Sequence, residues 1–298
     1  MSLLRIYAPL GAVPSRCEWA LVDGPRRARG EGPLAELPRT ADRVQLVIPA
    51  AQVLITRARL PQGARRRAGS VLAFAVEEAS AAEPEANQVS WLGRAGELDV
   101  LAVVDKRGLE LRRDALDAVG VRAYEVHAEI LLLPRAGREW SLAWDAADGF
   151  VRAGEFEGAA IDRGDPASPP LALRLMLEEA QARGARPDAI ALYVVAPTAA
   201  PDVAAWEREL GLPLRVEGAW DWRTAPAQAG TSLTQARRRW RLAPGALASL
   251  RPAALIAGAA LAVHGAALVV DWARLANEQR SVRAQMQARF HSVFPEAI

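Results

Sequence analysis

The hydrophobic pattern changes period several times along the chain, and each change marks an element. Leu3 to Tyr7 and Trp19 to Val22 read as strands joined by a loop with Pro9, Gly11 and Pro14, and Asp23-Gly24-Pro25 is the turn that follows. Arg43 to Ile48 and Val53 to Leu60 are two more strands, and this spacing predicts an antiparallel meander. From Ala64 to Ala79 the period lengthens, and Ala68, Val71, Leu72, Ala75 and Val76 fall on one helical stripe. Strands follow over Gln88 to Leu92 and Leu98 to Val104. Next come a helix over Leu109 to Val119 closed by Gly120, a short strand over Ala123 to Val126, and an apolar Ile130 to Leu133.

A second set of related order begins at Trp140. Trp140 to Trp144 and Phe150 to Ala153 form a hairpin around Asp145 to Gly149. Leu171 to Ala182 is a helix ended near Gly184, Ile190 to Ala196 an apolar strand, Val203 to Leu210 a helix, and Leu214 to Val216 a closing strand. Two consecutive α/β units predict a duplicated, two-lobed body, with one lobe over residues 1–135 and the other over 136–217. Beyond Glu217 the pattern loosens, and residues 218–251 read as a basic tether.

The most apolar stretch is 252–270, PAALIAGAALAVHGAALVV, with no formal charge between Arg251 and Asp271. At ~1.5 Å per residue such a helix nearly matches a bilayer core of ~30 Å, so one membrane crossing is expected. No acidic residue lies between Trp222 and Asp271, while Arg237, Arg238, Arg239, Arg241 and Arg251 crowd the entry side and Trp240 and Trp272 flank the ends. Ala254, Gly258, Ala262 and Gly265 share roughly one face, a small-residue stripe that lets another helix approach, with a homodimer as the expected assembly. His264 within the run reads as a neutral imidazole bonded to a neighbouring helix. A weak helical stripe through Leu275, Val282, Met286, Phe290 and Val293 continues the helix into 271–298.

Charge sets the orientation. Five arginines precede the span and three follow it closely (Arg274, Arg280, Arg283), which places the amino-terminal side in the cytoplasm. The opening MSLLRIYAPLGAVPSR lacks the charged leader and apolar run of an export signal, and the single cysteine, Cys17, is compatible with a reducing compartment. The net charge is only +2. The basic excess gathers beside the crossing, where orientation and anionic lipid heads explain it, and a nucleic-acid surface is not expected.

Chemical motifs are scarce. Lys106, the only lysine, stands in VVDKRGLELRR, so there is no P-loop. His127, His264 and His291 are far apart, Cys17 has no thiolate companion, and neither G-x-S-x-G nor G-x-G-x-x-G occurs. No catalytic, cofactor-binding or metal residues are assigned. Arg65, Arg66 and Arg67 lie in the first turn of the helix expected over 64–79 and Glu77 and Glu78 in its last. Both clusters oppose the helix dipole at roughly 0.3–1 kcal/mol per charge, so they are assigned as a partner-binding surface.

The order of segments resembles one family. A WALVDG turn, then RVQLVIPAAQVLITRARLP, an arginine-rich helix ending AFAVEEA, LDVLAVVDKRGLELRRDALDAVGV, WSLAWDAADGFVRAG and a neck with SLTQARRRW before one crossing together resemble the L protein of the bacterial type II secretion system. The resemblance implies an α/β, actin-like (RNase H-like, duplicated) cytoplasmic domain and a single-pass inner-membrane helix. It also implies a periplasmic carboxyl-terminal part, here expected to be truncated after FHSVFPEA. The implied function is scaffolding: the L protein anchors the secretion ATPase (the E subunit) and pairs with the bitopic M protein, with the polytopic platform protein as a further partner.

Residues 232–236 read Ser-Leu-Thr-Gln-Ala where the family commonly has N-L-L-Q-G. Actin-like ATPases hold phosphate and Mg²⁺ on glycine-rich hairpin turns, which Asp23-Gly24 and Asp145 to Gly149 only echo, since ordinary hairpins use the same residue types. No ATP hydrolysis is expected. The alternatives are an actin-like nucleotide hydrolase and a type IV pilus assembly platform protein.

Overall fold

The computed structural model describes residues 2–11, 16–61, 70–145, 149–233 and 251–293, with the side chains at 70, 71, 251–258, 260, 261, 287, 288 and 290–293 outside the description. The chain divides into two units, residues 1–237 and 238–298.

In the first unit, β1 (Ser2–Tyr7), β2 (Cys17–Asp23), β3 (Arg26–Gly32), β4 (Arg43–Ile48) and β8 (Glu125–Ala128) form a sheet of order β3-β2-β1-β4-β8. The β1-β2 and β2-β3 pairings are antiparallel, whereas β1-β4 and β4-β8 are parallel. A second sheet has order β11-β10-β9-β12-β13, from β9 (Trp140–Trp144), β10 (Phe150–Arg152), β11 (Gly158–Ala160), β12 (Ile190–Val195) and β13 (Leu214–Trp220). Its pairings repeat the same senses in the same places. The antiparallel meander expected at the start therefore stops after β3. β4 joins β1 in parallel, with Leu46 and Ile48 buried in the core that also takes up Leu4 and Ile6.

A third sheet, β5 (Leu54–Ala58), β7 (Leu98–Asp105) and β6 (Asn87–Ala95), is antiparallel throughout. Alternation along β7 explains its two-sided burial: Val100, Ala102 and Val104 enter the large core, while Leu101 and Val103 meet Leu72, Ala73 and Val76. The helix expected over 64–79 appears, within the described residues, as the short α1 (Ser70–Phe74) followed by a separate 3₁₀ turn, Glu77–Ala79. Val76 sits between them with φ −115°, drawn in by burial to 1% exposure.

Caps set the other helices. Asp105 accepts from Arg107 N at 3.1 Å and Gly108 N at 2.9 Å to start α2 (Lys106–Ala118). A side chain at Gly108 would lie 2.6 Å from that same carboxylate. α3 (Glu129–Leu132) links the first sheet to the second, and α4 (Leu171–Ala182) packs Leu173 and Leu177 on the second sheet. α5 (Val203–Leu210) starts on the Asp202 carboxylate and ends at Gly211, whose φ of 62° suits a left-handed C-cap.

The tether expected from Gly218 is packed as far as Leu233, where its described part ends. β13 runs to Trp220, a 3₁₀ turn covers Trp222–Thr224, and Trp222, Ala225 and Leu233 are buried. In the second unit, α6 spans Arg251–Val293, 43 residues. The apolar run 252–270 lies wholly within it. Among the described residues no helix is long and apolar enough to cross a membrane.

Candidate functional site

Between the two five-stranded sheets lies an apolar interior that holds one carboxylate. Ala20 and Val47 come to it from the first sheet, Ala143, Phe150 and Trp220 from the second, and Ile130, Leu132 and Leu133 from α3 and the residue after it. Tyr7 stacks on Trp222 with ring centroids 5.3 Å apart, and Phe150 meets Trp220 edge-on at 6.2 Å. Glu129, 8% exposed, accepts from Trp220 Nε1 at 3.2 Å, and from Ala50 N and Tyr7 Oη at 3.3 Å each. Burial pushes its pKa up, and those three donors and Asp145 modify the shift. With each oxygen taken by a donor, the carboxyl is a structural acceptor that joins both sheets.

Two arginines do the corresponding work with carbonyls. Arg5, in the middle of the otherwise apolar β1, donates from Nη1 to Ala225 O at 2.5 Å, from Nη2 to Pro226 O at 2.7 Å and from Nε to Gln45 Oε1 at 3.0 Å. Burial, and then Arg43, lower its pKa to about 10, so it stays charged at neutral pH. Arg152 of β10 donates to Leu131 O at 2.8 Å and Leu133 O at 2.6 Å, fastening the second sheet to the α3 link. A planar, always-charged fork suits several carbonyls at once.

The segment leaving toward residue 234 is also fastened to the first sheet and the third. Leu233 N donates to Val126 O at 2.6 Å, the Ser90 hydroxyl donates to Leu233 O, and Ser232 bridges to His127. His127 is buried with Nε2 3.2 Å from Glu125 Oε2, and Glu125 also pairs with Arg43 at 2.8 Å. Burial lowers the imidazole pKa, and Glu125 works against that.

Neither Glu77 nor Glu78 lines this interior. Arg65, Arg66 and Arg67 lie outside the described residues, as do Arg237, Arg238, Arg239 and Arg241. Glu77 and Glu78 are exposed and open their own 3₁₀ turn. They therefore lie three and four residues beyond the end of α1 and not in its last turn. Exposed Phe74, at 58%, stands just before them. Ala254, Gly258, Ala262 and Gly265 all lie in α6, where Ala262 and Gly265 are exposed. Asp23-Gly24 turns the β2-β3 hairpin at the edge of the first sheet, while Asp145 follows the central strand β9. Among the described residues no cluster of histidine, cysteine and carboxylate side chains could hold a metal.

The roles of Arg5 and Glu129 were missed from sequence, although each had a signal: a lone charge inside an apolar run, SLLRIY and AEILLL.

The family model described as type II secretion system (T2SS), protein L, matches residues 18–200. The type II secretion system protein L of Klebsiella pneumoniae is 27% identical over 117 residues, 39% of this chain, and the aligned stretch spans 29% of that protein's length. The cytoplasmic domain of EpsL, an inner membrane component of the type II secretion system of Vibrio cholerae, superposes with a TM-score of 0.51 at 20% identity, covering 74% of this chain and 88% of that one. This is a likeness of fold. A Bacteroides thetaiotaomicron protein with an actin-like ATPase fold and unknown function superposes at 0.43 and 8% identity over 72% of this chain and 90% of that one. Since the family model matches more than half of the 298 residues, the chain belongs to the protein L family of the type II secretion system.

Proposed function

We propose that this chain is a single-pass inner-membrane platform component of a type II secretion system. Its amino-terminal body docks the secretion ATPase in the cytoplasm, and α6 links that body to the bitopic M protein and periplasmic partners. The observation that carries the reading is the family match over residues 18–200. The fastening of residues 220–233 to the body supports the coupling part, because a load on the chain beyond residue 233 meets the Leu233–Val126 bond and then the Arg5 cluster before any strand is peeled.

The membrane span is the run 252–270 within α6. In its favour, α6 exposes Val263, Val269 and Trp272 at 71%, 66% and 72%, apolar surface that lipid or a second helix would cover. The small residues Ala254, Gly258, Ala262 and Gly265 are the contact for that second helix. The arginines at 237–239, 241 and 251 hold the cytoplasmic side against anionic lipid. For ATPase docking the surface is the α1 end, with Arg65, Arg66 and Arg67 before it and Phe74, Glu77 and Glu78 after it. The chain turns over no nucleotide of its own.

Co-expression of the full chain with type II secretion ATPases, followed by detergent extraction and affinity purification, tests the reading. The ATPase is expected to co-elute, and to be lost when Arg65, Arg66 and Arg67 are reversed to Glu. Unchanged co-elution of that variant removes the surface. Protease mapping that finds the body outside the cell overturns the topology, and micromolar Mg-ATP binding with turnover in calorimetry overturns the scaffold role.

A further inference from the structure

We propose that the outer edge of β3 is a docking strand for an extended acidic segment of a partner protein. The inference rests on this edge and its cavity, and stands apart from the secretion role and from the α1 surface.

β3 reads RRARGEG, with no β-branched or aromatic residue, and it is a strand because β2 pairs with it along its whole length. It ends the sheet, so among the described residues its other edge has no strand partner and alternate residues turn N–H and C=O outwards. Arg26, Arg27 and Arg29 are exposed. Several other arginines around this sheet meet carboxylates: Arg16 pairs with Glu31 at 3.0 Å, Arg43 with Glu125, and Arg223 with both Glu18 and Asp221, whereas buried Arg5 meets carbonyls and Gln45. Among the described residues, Arg26, Arg27 and Arg29 have no such partner.

Charge alone could serve to keep an edge from aggregating. A cavity of about 250 Å³ beside the strand adds a second observation. The register sets Arg27 opposite Val22 and Arg29 opposite Ala20, so these four residues share one face of the sheet, and all four line the cavity together with Thr224. Asp221 and Arg223, also in its wall, are paired with each other at 3.0 Å and Arg223 with Glu18 as well, which leaves Arg27 and Arg29 for a guest. An apolar floor lowers the local dielectric and strengthens a charge pair formed there.

The edge and the charge together select the occupant. A second copy of β3 paired antiparallel about Arg29 would set Arg29 against Arg29, and Glu31, the residue then opposite Arg27, is already paired with Arg16 at 3.0 Å. An extended segment with carboxylates at i and i+2 presents them roughly 6.6 Å apart on one face, the spacing of Arg27 and Arg29 themselves. Its main chain would continue the ladder while its acidic side chains enter the cavity mouth. A lipid surface offers anions but no main chain for the strand edge.

The test uses the full 298-residue chain and a fluorescein-labelled decapeptide of alternating Glu and Val, followed by anisotropy. Binding is expected, weakening about tenfold between roughly 50 and 500 mM salt, and at least about tenfold in the Arg27→Glu/Arg29→Glu variant. Arg27→Gln/Arg29→Gln serves if the reversal fails to fold. Of two peptides N-methylated on alternate residues, one register should lose binding and the other keep it. A Lys-Val peptide should bind only the reversed variant. No binding by the wild type, equal binding by the arginine variants, or equal binding of both N-methylated peptides overturns the proposal. So does arginine-dependent retention on vesicles with about 30% phosphatidylglycerol in place of the peptide, which would assign the patch to lipid.

Discussion

The guanidinium of Arg5 lies 2.5 Å from the carbonyl oxygen of Ala225, a hydrogen bond between residues 220 positions apart. It ties the first strand to the segment that leads out of the body, and Gln45 and Pro226 complete the cluster. Arg5→Met keeps the apolar stem but orphans these acceptors, at a cost of about 1–3 kcal/mol for each one left buried. Urea unfolding at neutral pH should show a loss of about 2–4 kcal/mol. Arg5→Lys should recover little, because one ammonium cannot reproduce the planar fork. Full stability in Arg5→Met would mean that the segment is held elsewhere.

Glu129 predicts a stability that declines with rising pH. In the unfolded chain its carboxyl titrates near 4.5, and in the folded chain burial keeps the proton to higher pH. Between these two values the folded state binds more protons than the unfolded one, so stability falls as pH rises through that window. Glu129→Gln should abolish this part of the slope in melting curves from about pH 4 to 8. Parallel slopes for wild type and variant would refute it.

His127 contributes with the opposite sign. Burial lowers its pKa from 6.5, so on acidification the unfolded chain takes up the proton first. The contribution is present above pH 6.5 and is lost as pH falls toward the lowered folded value. His127→Gln should therefore flatten the acid side of the profile, and the double variant with Glu129→Gln should show neither slope. An unaltered acid limb in His127→Gln would exclude the imidazole as its source.

Gly158 tests the packing of the link between the sheets. A Cβ there would lie 2.4 Å from Ile130 Cγ2 and equally close to Val151 O, and backbone cannot yield as a flexible side chain can. Gly158→Ala should destabilise by about 1–3 kcal/mol, seen as a lowered denaturation midpoint. At Gly96 nothing lies within 4 Å, but φ is +61°, so an alanine there should cost only local turn strain, about 1 kcal/mol.

Where local pattern was strong, the sequence was enough. Leu171–Ala182 and Val203–Leu210 were readable to the residue, since a helical stripe, the Asp202 cap and the Gly211 stop are all local signals. So was Trp140–Trp144, whose side chains are all buried. β3 was invisible because RRARGEG carries no alternation of its own and becomes a strand only through its register with β2. The same holds for the three residues of β11, paired with β10. The helix read over 64–79 ends, within the described residues, at Phe74, and Glu77 and Glu78 fall in a separate 3₁₀ turn beyond buried Val76, a break that the helical stripe did not signal.

By itself the sequence determined the strands and helices with a strong pattern of their own, the uncharged run inside α6, and the resemblance that the family match later supported, because periodicity, caps and composition act over a few residues. Tertiary structure decided which charges are buried and what they hold. Arg5 finds Ala225 and Glu129 finds Trp220, 220 and 91 positions away, and no local pattern encodes such pairs. They form because a charge drawn into an apolar interior by its neighbours must find its hydrogen bonds wherever the fold brings partners.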